Sequence, residues 1–116
     1  MSALTHQHIV VTGASQGLGL AMTKALLARG ARVTAIARSK DRLDLARQLG
    51  AAAIAGDATD PDLMNRVVAD QQPDVLILNA GARLAMKPID AQSWDEFSAV
   101  WNTDVKAGLV GMQAAL

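Results

Sequence analysis

Cysteine and tyrosine are absent from the sequence, and its aromatic residues are one phenylalanine and two tryptophans. Without cysteine there are no disulfides and no thiolate metal sites. With so few aromatics, the interior has to be built from Ala, Val, Leu and Ile. No apolar run approaches the roughly 18 residues of a membrane span, and the polar start Met1-Ser2-Ala3-Leu4-Thr5-His6-Gln7 lacks the apolar stretch of a signal peptide. The expectation is a soluble cytoplasmic protein with no membrane partner. Net charge is missing too, since 11 Lys/Arg balance 11 Asp/Glu. The halves differ, with seven Lys/Arg against two Asp in residues 1–50 and four against nine acids in 51–116. That basic excess is too small for a nucleic-acid surface, so no nucleic acid is expected as partner.

What the sequence has is an apolar half (51%) arranged in alternating strand and helix signals, with no linker, repeat or low-complexity stretch. Residues 1–116 are therefore one domain. A core of small aliphatic residues suits a parallel sheet between helices. Strands are expected at about 8–12, 32–37, 51–55 and 74–79. Helices are expected from Gly17 to Arg29 with Gly30 as stop, and from Lys40 to Leu49 between Ser39 and Gly50. A third follows Asp60-Pro61 to Gln71, and a single long helix runs from the capping box Ser93-x-x-Glu96 to the C-terminus. The run Asp74-Val75-Leu76-Ile77-Leu78-Asn79 has no polar alternation and is expected to be covered on both faces. His6 and His8 read as part of a solvated lead-in to the first strand.

The most informative segment is Ile9-Val10-Val11-Thr12-Gly13-Ala14-Ser15-Gln16-Gly17-Leu18-Gly19-Leu20. A short buried strand empties into a glycine turn that opens a helix, whose unpaired N–H groups suit an anion. The spacing Gly-x-x-x-Gly-x-Gly differs from the Gly-x-Gly-x-x-Gly fingerprint, and Lys24 lies too far on to make a phosphate-binding P-loop. The stretch Thr12, Gly13, Ala14, Ser15, Gln16, Gly17, Leu18, Gly19 resembles the cofactor signature of the short-chain dehydrogenase/reductase family.

That resemblance implies an α/β Rossmann-like doubly wound parallel sheet with strand order 3-2-1-4, truncated after strand four and the long helix. About twenty residues past the glycine turn, such sites place an acid on the ribose 2′-hydroxyl or an arginine beside a 2′-phosphate. Here Ala37 holds the acid position and Arg38 follows, with Lys40 and Arg42 nearby, so NADP is expected in preference to NAD. On its own, Arg38 also reads as an ordinary solvated arginine. The resemblance gives Asp57 the adenine amino group and Ala58 the ring face. It makes Asn79-Ala80-Gly81 the element that passes the cofactor ribose, with Leu78 where the family has a first asparagine. In the long helix, Asn102 is the family's catalytic asparagine by resemblance, and an exposed amide otherwise. Asp57, Asp60 and Asp62 lack the glycine and distal glutamate of a calcium loop, so no metal is expected.

The family's serine and Tyr-x-x-x-Lys do not occur, and no tyrosine is present at any spacing. The expectation is the amino-terminal, cofactor-binding half of an NADP-dependent oxidoreductase acting on a small carbonyl or alcohol, inactive as 116 residues alone. A nucleotide-binding or assembly module without catalysis is the alternative. Phe97, Val100, Trp101, Val105 and Leu109 on the long helix are expected to support a homo-oligomer.

Overall fold

The computed structural model describes residues 3–116. Four strands, β1 (His8–Thr12), β2 (Arg32–Ala37), β3 (Ala52–Ala55) and β4 (Val75–Ile77), form one parallel sheet in the order β3-β2-β1-β4. Helices α1 (Gly17–Ala28), α2 (Leu43–Leu49) and α3 (Pro61–Gln71) connect them. After β4 come a 3₁₀ turn (Ile89–Ala91) and the helices α4 (Trp94–Val100) and α5 (Lys106–Ala115).

The two-residue period of the strands sorts their side chains onto two cores. Ile9, Val11, Val33, Ala35 and Ala37 point to one face, where Leu26, Leu27, Leu43 and Ala46 of α1 and α2 cover them. Val10 and Ile36 point to the other, against Leu63, Met64 and Val67 of α3 and Ala107 and Val110 of α5. Met64 is fully enclosed, and truncating it to alanine would cost about 2–5 kcal/mol.

Helix ends follow local chemistry. Asp60 accepts the Asp62 amide N–H at the start of α3, with Pro61 as its first residue, and Ser93 accepts that of Glu96 at the start of α4. Gly50 stops α2 in the left-handed conformation at φ 107°. Helix α2 begins at Leu43, three residues later than expected, because residues 40–42 form a turn in which Ser39 Oγ accepts the Arg42 amide.

Three expectations are corrected. The fourth strand is three residues long, not six. Leu76 and Ile77 do pack on opposite cores, but Val75 and Leu78 are exposed because no strand pairs with the outer edge of β4 among the described residues. The long helix is not continuous: between α4 and α5 the chain makes one wide, π-helical turn at Trp101–Val105. And His8 is not a solvated lead-in. It is 5% exposed, and its Nε2 lies 2.9 Å from Thr34 Oγ1. Its Nδ1 lies 3.0 Å from the Gln71 carbonyl oxygen and 3.0 Å from Arg32 Nη2. Thr34 in turn donates its hydroxyl to Gln71 Oε1 at 3.2 Å. Both ring nitrogens thus have polar partners, which offsets the cost of taking the imidazole out of water.

Candidate cofactor-binding site

All four strands end, at their carboxyl ends, on one side of the molecule, where open α/β sheets bind ligands. A cleft of about 400 Å³ opens there. Its floor is the turn from β1 into α1. Gly13 sits at φ 66°, and a Cβ on it would come within 2.8 Å of Ala80 Cα, so neither backbone geometry nor space admits a side chain. Gly19 is equally crowded: its added Cβ would lie 2.1 Å from the Gly13 carbonyl oxygen. Gly17 shares the left-handed backbone, at φ 55°, but not the crowding: nothing lies within 4 Å of an added Cβ, and its face is open to the cleft.

The first turn of α1 differs from those of α3 and α4 in that Gln16, its N-cap, makes no side-chain capping bond. The first amides of α1 therefore have no partner from a cap, and they face the cleft beside Ser15, Gln16, Gly17 and Leu18. Thr12 is buried behind the turn. Its hydroxyl oxygen accepts the amide N–H groups of Asn79 at 3.0 Å and Ala80 at 3.1 Å, which fastens the loop after β4 to the end of β1. Asn79 Nδ2 also donates to the Gly13 carbonyl at 3.3 Å. Asn79, Ala80 and Gly81 line the cleft as a result.

The far wall comes from β2 and β3. Arg38 stands at the end of β2 and makes no hydrogen bond or ion pair among the described residues. Asp57 and Ala58 stand past the end of β3. Asp57 Oδ1 accepts both the amide and the hydroxyl of Thr59, at 2.9 and 2.8 Å. The Thr59 amide is the main reason that the Asp57 carboxyl titrates below the ordinary aspartate value; partial burial opposes it, and the Thr59 hydroxyl and the charges of Arg38 and Lys106 assist. Its Oδ2 has no partner among the described residues.

Eleven of the fourteen residues singled out from the sequence thus meet at one cleft. Thr12 and Gly19 support it from behind. Asn102 is not brought there: its side chain is exposed and lies outside the cleft lining, which Thr103 and Ala107 supply from this helix. Arg42, expected near Arg38, does stand on the cleft wall and donates to Gln16 Oε1, whereas Ser39, read only as the start of a helix, was missed as a wall residue. The periodicity carried a signal for the helix. Residues 107, 110, 111 and 114 repeat at three- and four-residue spacing on the buried face, and Thr103 falls on that stripe one turn earlier. Asn102 shares its spacing with the exposed Lys106 and Leu109 instead.

Comparison with known proteins agrees with this architecture. The short chain dehydrogenase family matches over residues 7–116. The chain belongs to that family. Its relatives include a 3-dehydrosphinganine reductase of Arabidopsis thaliana, 30% identical over 95% of this chain and 35% of the relative. An uncharacterized oxidoreductase of Staphylococcus aureus strain N315 is 33% identical over 100% of this chain and 54% of the relative. The chain thus spans about half, or less, of the length of these curated relatives. Among solved structures, a short-chain type dehydrogenase/reductase from Mycobacterium marinum superposes with a TM-score of 0.83 at 28% identity, over 97% of this chain and 49% of that one. A serine dehydrogenase from Escherichia coli gives 0.82 at 26% identity, over 93% and 54%. The strand order 3-2-1-4 and the surrounding helices are those of this family's Rossmann-like fold. Its members are oxidoreductases that use a nicotinamide cofactor on small molecules. No helix among the described residues is long and apolar enough to cross a membrane.

Proposed function

We propose that these 116 residues are the cofactor-binding half of an NADP-dependent oxidoreductase that interconverts a carbonyl and an alcohol. The observation that carries the reading is the cleft itself: uncapped amides at the start of α1, a glycine floor that an added Cβ would block, and an unpartnered Arg38 on the wall where a 2′-phosphate would lie. A planar guanidinium meets a phosphate monoester with paired hydrogen bonds, and Ala37 offers no carboxylate to repel it. Asp57 Oδ2 is available to an adenine amino group, and Ala58 to its ring. In the family the cofactor supplies or takes up the hydride. The residues of this chain bind and orient it, and Gly81 lets the backbone pass closely.

The proton that must move with the hydride has no tyrosine to carry it here, and His8 lies at the opposite end of the sheet, engaged by Thr34 and Arg32. Such general acid–base help is typically worth ~10²–10⁴-fold, so the chain alone is proposed to bind cofactor without catalysing at an enzymatic rate. Asn102, outside the cleft, takes no direct part in binding in this proposal. Calorimetry with NADPH and NADH, followed by NADPH absorbance with a panel of ketones and aldehydes, tests it. Saturable binding that favours NADPH, with no carbonyl-dependent oxidation, is expected. Preference for NADH, absence of binding, or saturable turnover each contradicts a part of the proposal.

A second reading, as an assembly module, is favoured by one feature. Trp94, Phe97, Trp101, Val105, Leu109 and Met112 are exposed along α4, the wide turn and α5. A contiguous apolar face of this kind marks an interface, and we propose that it supports association with a second copy. Sedimentation at rising concentration reads this directly, and a single monomeric species throughout contradicts it.

A further inference from the structure

One side chain of the wide turn reaches back across the molecule. Asp104 Oδ1 accepts the amide N–H of Ala82, 22 residues away, at 2.6 Å. It also lies against Gly81, where an added Cβ would come within 3.4 Å of it. Gly81 lines the cofactor cleft and Ala82 follows it directly. Among the described residues this is the one hydrogen bond that ties the backbone of residues 81–86 to another element; the other bond there, from Lys87 N–H to the Ala85 carbonyl, stays within the loop. An amide held by a carboxylate is a charge-assisted bond, shorter and stronger than a neutral pair. The wide turn makes it possible. A π-helical turn shifts the phase of the helix that follows, and it lets Asp104 face the loop while the residues of α5 stay on the sheet.

We infer that Asp104 is a positioning residue: it holds the Gly81–Ala82 loop in place against the end of the cleft formed by β4. The inference rests on the cofactor reading of that cleft. In the strand order β3-β2-β1-β4, Arg38 and Asp57 stand on one side of β1 and Gly81 on the other. A dinucleotide with its adenosine 2′-phosphate at Arg38 therefore presents its other half to the loop that Asp104 holds. Asp104 acts on that half alone.

Two probes separate the halves: NADPH, and adenosine 2′,5′-bisphosphate, which lacks the nicotinamide side. Calorimetry on wild type and on Asp104→Ala, Asp104→Asn and Asn102→Ala reads the effect. Asp104→Ala is expected to weaken NADPH about tenfold, the size of one charge-assisted bond, and to change the bisphosphate by no more than about twofold. Asp104→Asn keeps an acceptor and restores most of the loss, and Asn102→Ala changes neither probe. Equal loss of both probes in Asp104→Ala, or unchanged NADPH affinity, overturns the inference. Hydrogen exchange gives a measurement independent of the variants' folding: the Ala82 amide of wild type is protected, and a freely exchanging Ala82 overturns the inference by itself. If wild type binds neither probe, the cofactor reading falls and Asp104 with it. If the bisphosphate binds and NADPH binds no tighter, the reading of the Arg38 wall stands and the Asp104 inference alone falls.

Discussion

At the amino ends of the strands polar groups close on one another, and at the carboxyl ends of the same strands they are left facing a cleft. His8 sits at the amino end of β1 with both ring nitrogens engaged. Its amide N–H goes to Asp74 Oδ2 at 2.8 Å, and its carbonyl accepts the Asp74 amide at 2.8 Å. Arg32, Thr34 and Gln71 complete a network that spans β1, β2 and α3. Buried polar groups so satisfied hold a register and leave nothing for a ligand. At the other end, the first amides of α1, the guanidinium of Arg38 and one oxygen of Asp57 have no partner among the described residues. The contrast separates two tasks within one sheet: the amino end stabilises, and the carboxyl end, in the function we propose, binds.

Substitutions at the two ends should therefore fail in different ways. The largest effect is expected from Gly13→Ala, which puts a Cβ 2.8 Å from Ala80 Cα at a backbone conformation unsuited to alanine. More than about 3 kcal/mol of strain should appear in denaturant melts, together with loss of measurable NADPH binding. Arg38→Ala comes next. It should cost about 1.5–3 kcal/mol, or roughly ten- to hundredfold, in NADPH affinity, with little change for NADH or for the melting temperature. Equal loss for both cofactors would move Arg38 from specificity to the common phosphates.

At the amino end, His8→Ala should lower stability by about 1–3 kcal/mol by leaving Thr34 and Arg32 without their partner, and the Kd for NADPH in the folded protein should not move. A changed Kd at full folding would break the separation between the two ends. The smallest effect concerns Asp57. Its folded-state pKa is depressed, chiefly by the Thr59 amide. Its contribution is therefore present above the ordinary aspartate range and is lost as pH falls through the folded value. The stability difference between wild type and Asp57→Asn should be small, because the group is largely exposed and screened, and it should close in acid. Melts at a series of pH values would contradict this if the difference grew below that range.

Much of this arrangement is legible in the amino-acid sequence, and the reasons are local. Gly13, Gly17 and Gly19 are dictated by a tight turn between a strand and a helix, and Asp60-Pro61 and Ser93-x-x-Glu96 are complete start signals within a few residues. What the sequence hides depends on partners far along the chain. The burial of His8 is settled by Thr34, Arg32 and Gln71, and nothing in residues 6–10 announces it. The exposure of Val75 and Leu78 follows from an unpaired edge, which the apolar run alone does not reveal, although the expected strand order 3-2-1-4 already places this strand last in the sheet. The wide turn has no compositional mark. Asn102 draws attention through its resemblance to the family's asparagine, but Thr103 and Asp104 are the residues that face the cleft and its loop.

If the carboxyl end alone binds the cofactor, backbone amide shifts during an NADPH titration will map to it residue by residue. Saturable shifts are expected at Gly17, Leu18, Arg38 and Ala80, while His8, Arg32 and Thr34 stay fixed. Shifts centred on His8 and Arg32, or none that saturate, would contradict that placement.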